Sequence, residues 1–192
     1  MSNKGNNNTE EAILKAAEAE FVEHGFNGAR TTSIAERAGV THAMLHYYFR
    51  TKEQLFDRIL EEKFSTLAES VLLIFSTKGM TLKERLEKGI ATHFDFVAQN
   101  PNLPRFLMSE LPRVSPVVRA TFLPKLSAVI SEVQKELDMD VRMLMLDIVS
   151  QNLFPFLVTP LLETLTASED RNAMLEQIKQ ENITLILKRL DL

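Results

Sequence analysis

The 192-residue chain contains no cysteine and no tryptophan, and few glycines (six) or prolines (seven). Without cysteine it can form neither disulfides nor thiolate metal sites, and nothing indicates an oxidising compartment. The first residues, MSNKGNNNTEE, lack the apolar core of a signal peptide. No window holds the 18 or so uncharged apolar residues of a membrane span. The expectation is a soluble cytoplasmic protein with no membrane partner. Period-2 alternation is missing too, which argues against a sheet. Beyond the Asn-rich start there is no low-complexity segment, and no internal repeat.

What is present is apolar content enough for a core: 45% of residues are hydrophobic, in a length that fits one or two domains. The formal net charge is −4, which by itself disfavours nucleic acid. Its distribution matters more. Residues 30–52 carry Arg30, Arg37, Arg50 and Lys52 against Glu36 alone, a net of +3 on an otherwise acidic chain. A basic island of this kind fits a DNA-reading head on a separate body.

Helical periodicity runs almost throughout. Asn8 and Thr9 are candidate N-caps for a first helix whose Ile13, Ala17 and Phe21 share a face, with Gly25 as its stop. Short helices follow over about 32–38 and 42–48. Thr51-Lys52-Glu53-Gln54 has capping-box spacing and opens a long helix to about Phe75. Thr81-Leu82-Lys83-Glu84 repeats that spacing and starts a helix ending at Asn100-Pro101. Pro101, Pro104 and Pro112 bracket a short helix near 106–110. Ser115-Pro116 reads as cap and first-turn proline of a helix to about Leu137, which Pro124 should kink. Asp140 caps a helix over about 141–164, and Ser168 precedes the last, about 169–190.

Residues 31–49, TTSIAERAGVTHAMLHYYF, carry the most information. Ala35, Gly39 and Leu45 fall at positions 5, 9 and 15 of a two-helix unit. A helix-turn-helix needs a small residue where the helices meet, a residue tolerant of positive φ in the turn, and an apolar residue that buries the second helix. That second helix would enter the DNA major groove.

Around this core, Phe21-x-x-x-Gly25-Phe26, Thr31-Thr32-x-Ile34-Ala35, Ala38-Gly39-Val40-Thr41, Leu45-x-x-Tyr48-Phe49 and Lys52-Glu53-x-Leu55 occur in order. Over about residues 10–60 the chain resembles the N-terminal domain of TetR/AcrR-family transcriptional regulators. The resemblance implies an all-α protein. A three-helix helix-turn-helix domain (1–52) would be joined by a long helix to a helical effector-binding and dimerisation domain (53–192). It implies a repressor released from double-stranded operator DNA by a small-molecule effector, acting as a homodimer without a cofactor.

Thr31, Thr32 and Thr41 open the two short helices, where hydroxyls and unpaired N–H groups suit a phosphate or simply cap. His42, Ala43 and Met44 occupy the first turn of the reading helix. Ala43 and Met44 can touch a thymine methyl, and His42 can exchange a hydrogen bond with a base. His46 is a further contact position, Tyr47 and Tyr48 offer hydroxyls to phosphates, and Lys52 matches a family phosphate contact. Arg50 reads as a solvent charge or a contact. The family commonly has Gly where this chain has Ala43 and Tyr where it has His46, so the operator cannot be read across.

In the body, Phe94, Phe96, Phe106 and Phe122 gather around His93. Pro155 removes an N–H that would have paired with Gln151, leaving Gln151 and Asn152 as polar groups in an apolar helix. These residues are the candidate effector pocket, for an apolar or aromatic molecule, although each aromatic suits plain core packing as well. Leu144, Ile148, Ile178, Leu185 and Ile186 are candidate dimer-seam residues, some of which must instead face their own core. An enzyme is the competing class, but there is no nucleophilic cysteine. His42 and His46 are one helical turn apart, without a metalloprotease glutamate or a third ligand, so no metal site is expected. A helical regulator acting through protein partners is the other alternative.

Overall fold

The computed structural model describes residues 3–101, 104, 108, 116–165 and 171–192. Among these every regular element is a helix, as the absence of alternation implies. They are α1 (Asn3–Gly28), α2 (Thr31–Arg37), α3 (His42–Tyr48), α4 (Lys52–Ser76), α5 (Leu82–Gln99), α6 (Pro116–Gln134), α7 (Val141–Leu165) and α8 (Arg171–Arg189). The residues form two compact units, Met1–Phe64 with Phe106–Thr121 and Ser65–Arg105 with Phe122–Leu192, so the division falls inside α4. The helix expected near 106–110 and the caps Ser115 and Ser168 lie outside the described residues.

In the first unit, α1 begins at Asn3, so Asn8 and Thr9 lie inside the helix and are not its caps. Gly25 breaks it as expected, at φ 66° and ψ 173°, and one more turn runs on to Gly28. Ile13, Ala17 and Phe21 are buried together. Phe21 stacks on Phe26 at 5.9 Å, and both rings meet the edge of Phe56 from α4 at 5.4 and 5.1 Å. Ring pairs at these separations add to what area burial already contributes.

The turn between α2 and α3 is a complete Schellman motif. Val40 N–H donates to Ala35 O at 3.0 Å and Gly39 N–H to Glu36 O at 3.1 Å, with Gly39 at φ 68°. Thr41 then caps α3, its hydroxyl accepting from Met44 N–H at 3.1 Å. Ala35 and Leu45, the helix-turn-helix signature residues, are buried. A Cβ at position 39 would meet nothing within 4 Å, so only backbone strain opposes a side chain there. Gly39→Ala should therefore cost about 1 kcal/mol, read as a lowered denaturation midpoint of the head with its packing unchanged.

The second unit is built on α5, α7 and α8. The capping box of α5 is closed in both directions between Thr81 and Glu84. Asp140 caps α7 by accepting from Arg142 N–H at 3.0 Å. Helix α6 continues through Pro124. Phe75, Leu86, Ile90, Val129, Val133, Val141, Leu144, Ile186 and Leu187 make one core cluster, and Phe94, Val97 and Phe156 a second. Arg85 is buried among them and fully paired. Its guanidinium donates to Phe75 O at 3.2 Å and to both carboxylate oxygens of Glu136 at 2.6 Å. By length and composition alone, Val141–Val158 of α7 could cross a membrane, with mean hydropathy 1.4 and 28% of it buried. It also carries Asp147, ion-paired with Arg189 of α8.

Candidate DNA-reading face and effector site

The Gly-linked pair α2 and α3 leaves one face of α3 outward. His42, Ala43, Met44, His46 and Tyr47 are all exposed, Tyr47 to 77%, while Leu45 and Phe49 point into the core. Tyr48 is half-buried with its ring edge-on to Tyr47. Thr41 and Thr32 are exposed and Thr31 is half-buried. The cap position of α2 is Arg30, not a threonine, and no side chain caps it. The Arg30 N–H instead donates to the buried Glu20 of α1 at 3.3 Å. Thr31 and Thr32 are thus the first two helical residues, with hydroxyls outside the capping geometry.

The basic island is smaller than its composition implies. Arg37 donates to both oxygens of Glu23 at 3.0 and 2.5 Å and lies 3.3 Å from Glu20. This pairing holds the Glu23 carboxyl below the usual carboxylate range. Lys52 donates to Ala29 O at 3.0 Å and sits 4.7 Å above the Phe26 ring, a cation–π contact that ties α4 to the end of α1. Arg30 and Arg50 remain as exposed cations. Only a charge count was available in the sequence, and the partners of Arg37 and Lys52 lie 14 and 23 residues away.

In the second unit, two of the three candidate polar residues, His93 and Asn152, are hydrogen-bonded to each other. Asn152 is fully buried. Its amide donates to Ile90 O and to His93 Nδ1, both at 3.0 Å, and its oxygen accepts from Asn182 at 3.0 Å. A carbonyl can only accept, so the Ile90 bond fixes the amide orientation. That leaves His93 Nδ1 bare and places its proton on Nε2. Asn182 had not been singled out in the sequence. Gln151, the preceding residue of α7, has a buried side-chain oxygen with no hydrogen-bond partner. Phe94 is buried against Phe156 at 5.3 Å and Phe96 is half-buried on the same cluster. Phe106, and the side chain of Phe122, lie outside the described residues.

Burial pushes the His93 pKa down to about 4. The folded state therefore holds the neutral ring while the unfolded chain takes up a proton below its ordinary value near 6.5. Stability is at its full value above pH 6.5 and is lost as pH falls toward 4, by about 3 kcal/mol in all. Urea unfolding at several pH values should show that loss, and His93→Gln should remove most of it.

The seam assignments need correction at two positions. Leu144 and Ile186 are each 1% exposed inside the chain's own core, so neither has surface left to bury against a second copy. Ile148 and Ile178 are half-buried on the two core clusters. Leu185 is 58% exposed. Met143, Leu146, Phe154 and Leu161, none of them a candidate seam residue in the sequence, recur at helical spacing on α7 and are each more than half exposed. Large apolar residues occur all around α7, so periodicity could not tell its inward residues from its outward ones.

A Gly-turned pair of short helices with the second helix exposed has the geometry of a helix-turn-helix DNA-binding unit. Residues 13–59 match the family model described as bacterial regulatory proteins, tetR family. The chain is 30% identical over 99 residues to the fatty acid metabolism regulator protein of Bacillus subtilis, covering 52% of this chain and 50% of that one. It is 34% identical over 102 residues to an HTH-type transcriptional repressor of Streptomyces coelicolor, covering 53% and 49%. It thus spans about half the length of the curated relatives it matches. Among solved structures, a proposed transcriptional regulator of Streptomyces coelicolor superposes with TM-score 0.73 at 22% identity, covering 94% of this chain and 97% of that one. The Bacillus subtilis regulator FadR in complex with stearoyl-CoA superposes with TM-score 0.67 at 21% identity, covering 92% and 96%. The match to the tetR family of bacterial regulatory proteins covers residues 13–59, and the solved structures share the fold of the whole chain.

Proposed function

We propose that the protein is a homodimeric, cytoplasmic transcriptional repressor that leaves its operator when a small apolar effector binds the body. The observation that carries this reading is the outer face of α3. Its core-facing residues Leu45 and Phe49 are buried, its first turn is capped by Thr41, and His42, Ala43, Met44, His46 and Tyr47 are presented outward together. Nothing in the packing of the head requires Met44 and Tyr47 outside, and both suit base edges and phosphates. Tyr48, Thr31, Thr32 and Thr41 supply hydroxyls for the backbone. Lys52 serves first as a scaffold contact, with N–H groups left for a phosphate.

The body supports the effector half of the reading. His93 Nε2–H is a donor and the buried, unpartnered Gln151 oxygen an acceptor in the unit that holds the Phe94–Phe156 cluster, which supports an apolar site with a few orienting polar groups. The likeness to a stearoyl-CoA complex supports a long apolar chain as the class of effector. For repression to be relieved, this molecule must bind the DNA-incompetent arrangement more tightly than the competent one. Helix α4 runs unbroken from Lys52 to Ser76 and is the element that can carry the change to the head.

Fluorescence anisotropy with DNA from upstream of the chain's own gene tests both halves. Binding is expected at low salt, with release by long-chain acyl-CoA and not by free coenzyme A. No binding with or without these ligands would overturn the reading.

A further inference from the structure

The two histidines of the reading helix converge on one point. His42 and His46 are exposed and stand one turn apart on α3, with their Nε2 atoms 3.2 Å from each other and their rings edge-on. His46 Nδ1 lies 3.3 Å from the Arg50 carbonyl. That oxygen can only accept, so Nδ1 carries the His46 proton and Nε2 presents its lone pair. The lone pair faces His42 Nε2, which is also 3.0 Å from the Thr31 hydroxyl. At this separation the His42 Nε2–H tautomer donates to the His46 lone pair, and with the His42 proton on Nδ1 instead both Nε2 lone pairs are open to one metal ion.

The spacing fits a metal. Nitrogens about 2.0–2.1 Å from one ion and separated by the observed interval subtend roughly 100° at it, near the tetrahedral angle. A histidine ligand whose other nitrogen donates to a backbone carbonyl is the usual outer-shell arrangement, which fixes the tautomer and raises ligand basicity. His46 already has that arrangement without an ion. Among the described residues, one group of three potential ligands also stands close together, Glu20, Glu23 and His24. It already holds the Arg37 guanidinium against Glu20 and Glu23, so its charge is met.

We infer that His42 and His46 form a chelate on the reading face of α3 for one late first-row divalent ion, zinc, nickel or copper, the metals that imidazole favours. Water, and the Thr31 oxygen beside them, complete the shell. Because the ion sits among the groups assigned to base contact, metal and operator exclude one another. That exclusion rests on the DNA-binding reading above, whereas the chelation does not.

The test is a zinc titration of the full chain against a competing chromophoric chelator, with histidine nitrogen NMR to report which atoms shift. One ion per chain is expected, with the shifts at Nε2 of His42 and His46. Affinity should fall about tenfold or more in H42Q and in H46Q and stay unchanged in H24Q. Both side chains are exposed, so the variants keep their fold, which circular dichroism checks. Zinc affinity that is the same in H42Q and H46Q as in the parent, or no binding at millimolar zinc, overturns the inference. Zinc, but not magnesium, should also release DNA from the parent protein, and a chelator should restore binding. Failure to bind DNA in metal-free buffer would count against the DNA reading and leave the chelation result standing.

Discussion

Phe154→Asp combined with Leu185→Asp is expected to leave the chain folded and monomeric, and to weaken operator binding by about a thousandfold. Both side chains are more than half exposed on the single chain, at 62% and 58%. Exposed apolar surface of this extent on neighbouring helices is what an interface leaves open. A carboxylate on each, doubled by symmetry, would be buried unpaired in a dimer, which costs several kcal/mol. One short reading helix then contacts one half-site, and most of the gap between specific and non-specific affinity is lost. Light scattering reads the mass and anisotropy the affinity. Leu144→Asp is the contrasting variant. Leu144 lies in the chain's own core, so that change should unfold the body rather than separate two copies.

Asn152→Ala should destabilise the body by about 3 kcal/mol, lowering the melting temperature by roughly 6–12 °C. The fully buried amide satisfies Ile90 O, His93 Nδ1 and the Asn182 side chain at once. Its removal leaves two buried side-chain groups on other helices without partners, and each such loss costs about 1–3 kcal/mol. The effect should extend to function. With Asn152 gone, His93 is free to change tautomer, so in the proposed effector site Nε2 would no longer be a fixed donor. Effector affinity should fall even at temperatures where the variant is folded. Calorimetric melting, together with effector titration well below the melting point, checks both parts.

The head was legible in the sequence because a helix-turn-helix is local. Gly39 needs positive φ, Thr41 caps the helix two residues on, and Leu45 buries it, all within fifteen residues of Thr31. The helices of the body were legible for the same reason, through Thr81-Glu84 and Asp140. What escaped was long-range. The Glu136 carboxylate that pairs with Arg85 lies 51 residues away, and Asn152 meets His93 across 59. Leu144 and Leu146 are the same residue type two positions apart, yet one is 1% and the other 61% exposed. Hydropathy cannot separate them, because what does is the placement of α5 and α8. Charge misled in a similar way, since Arg37 and Lys52 are held by the α1–α2 scaffold and the carbonyl of Ala29.

The most direct measurement is selection of binding sites from a random DNA library by the full chain in metal-free buffer. A dimer presenting two α3 helices should enrich a two-fold symmetric sequence whose half-sites are centred about one helical turn apart, roughly 34–36 Å. Substituting Met44 or His42 by Ala should shift the preferred base within each half-site without abolishing enrichment. Failure to enrich any sequence, or enrichment of a site unaffected by changes on α3, would contradict the account.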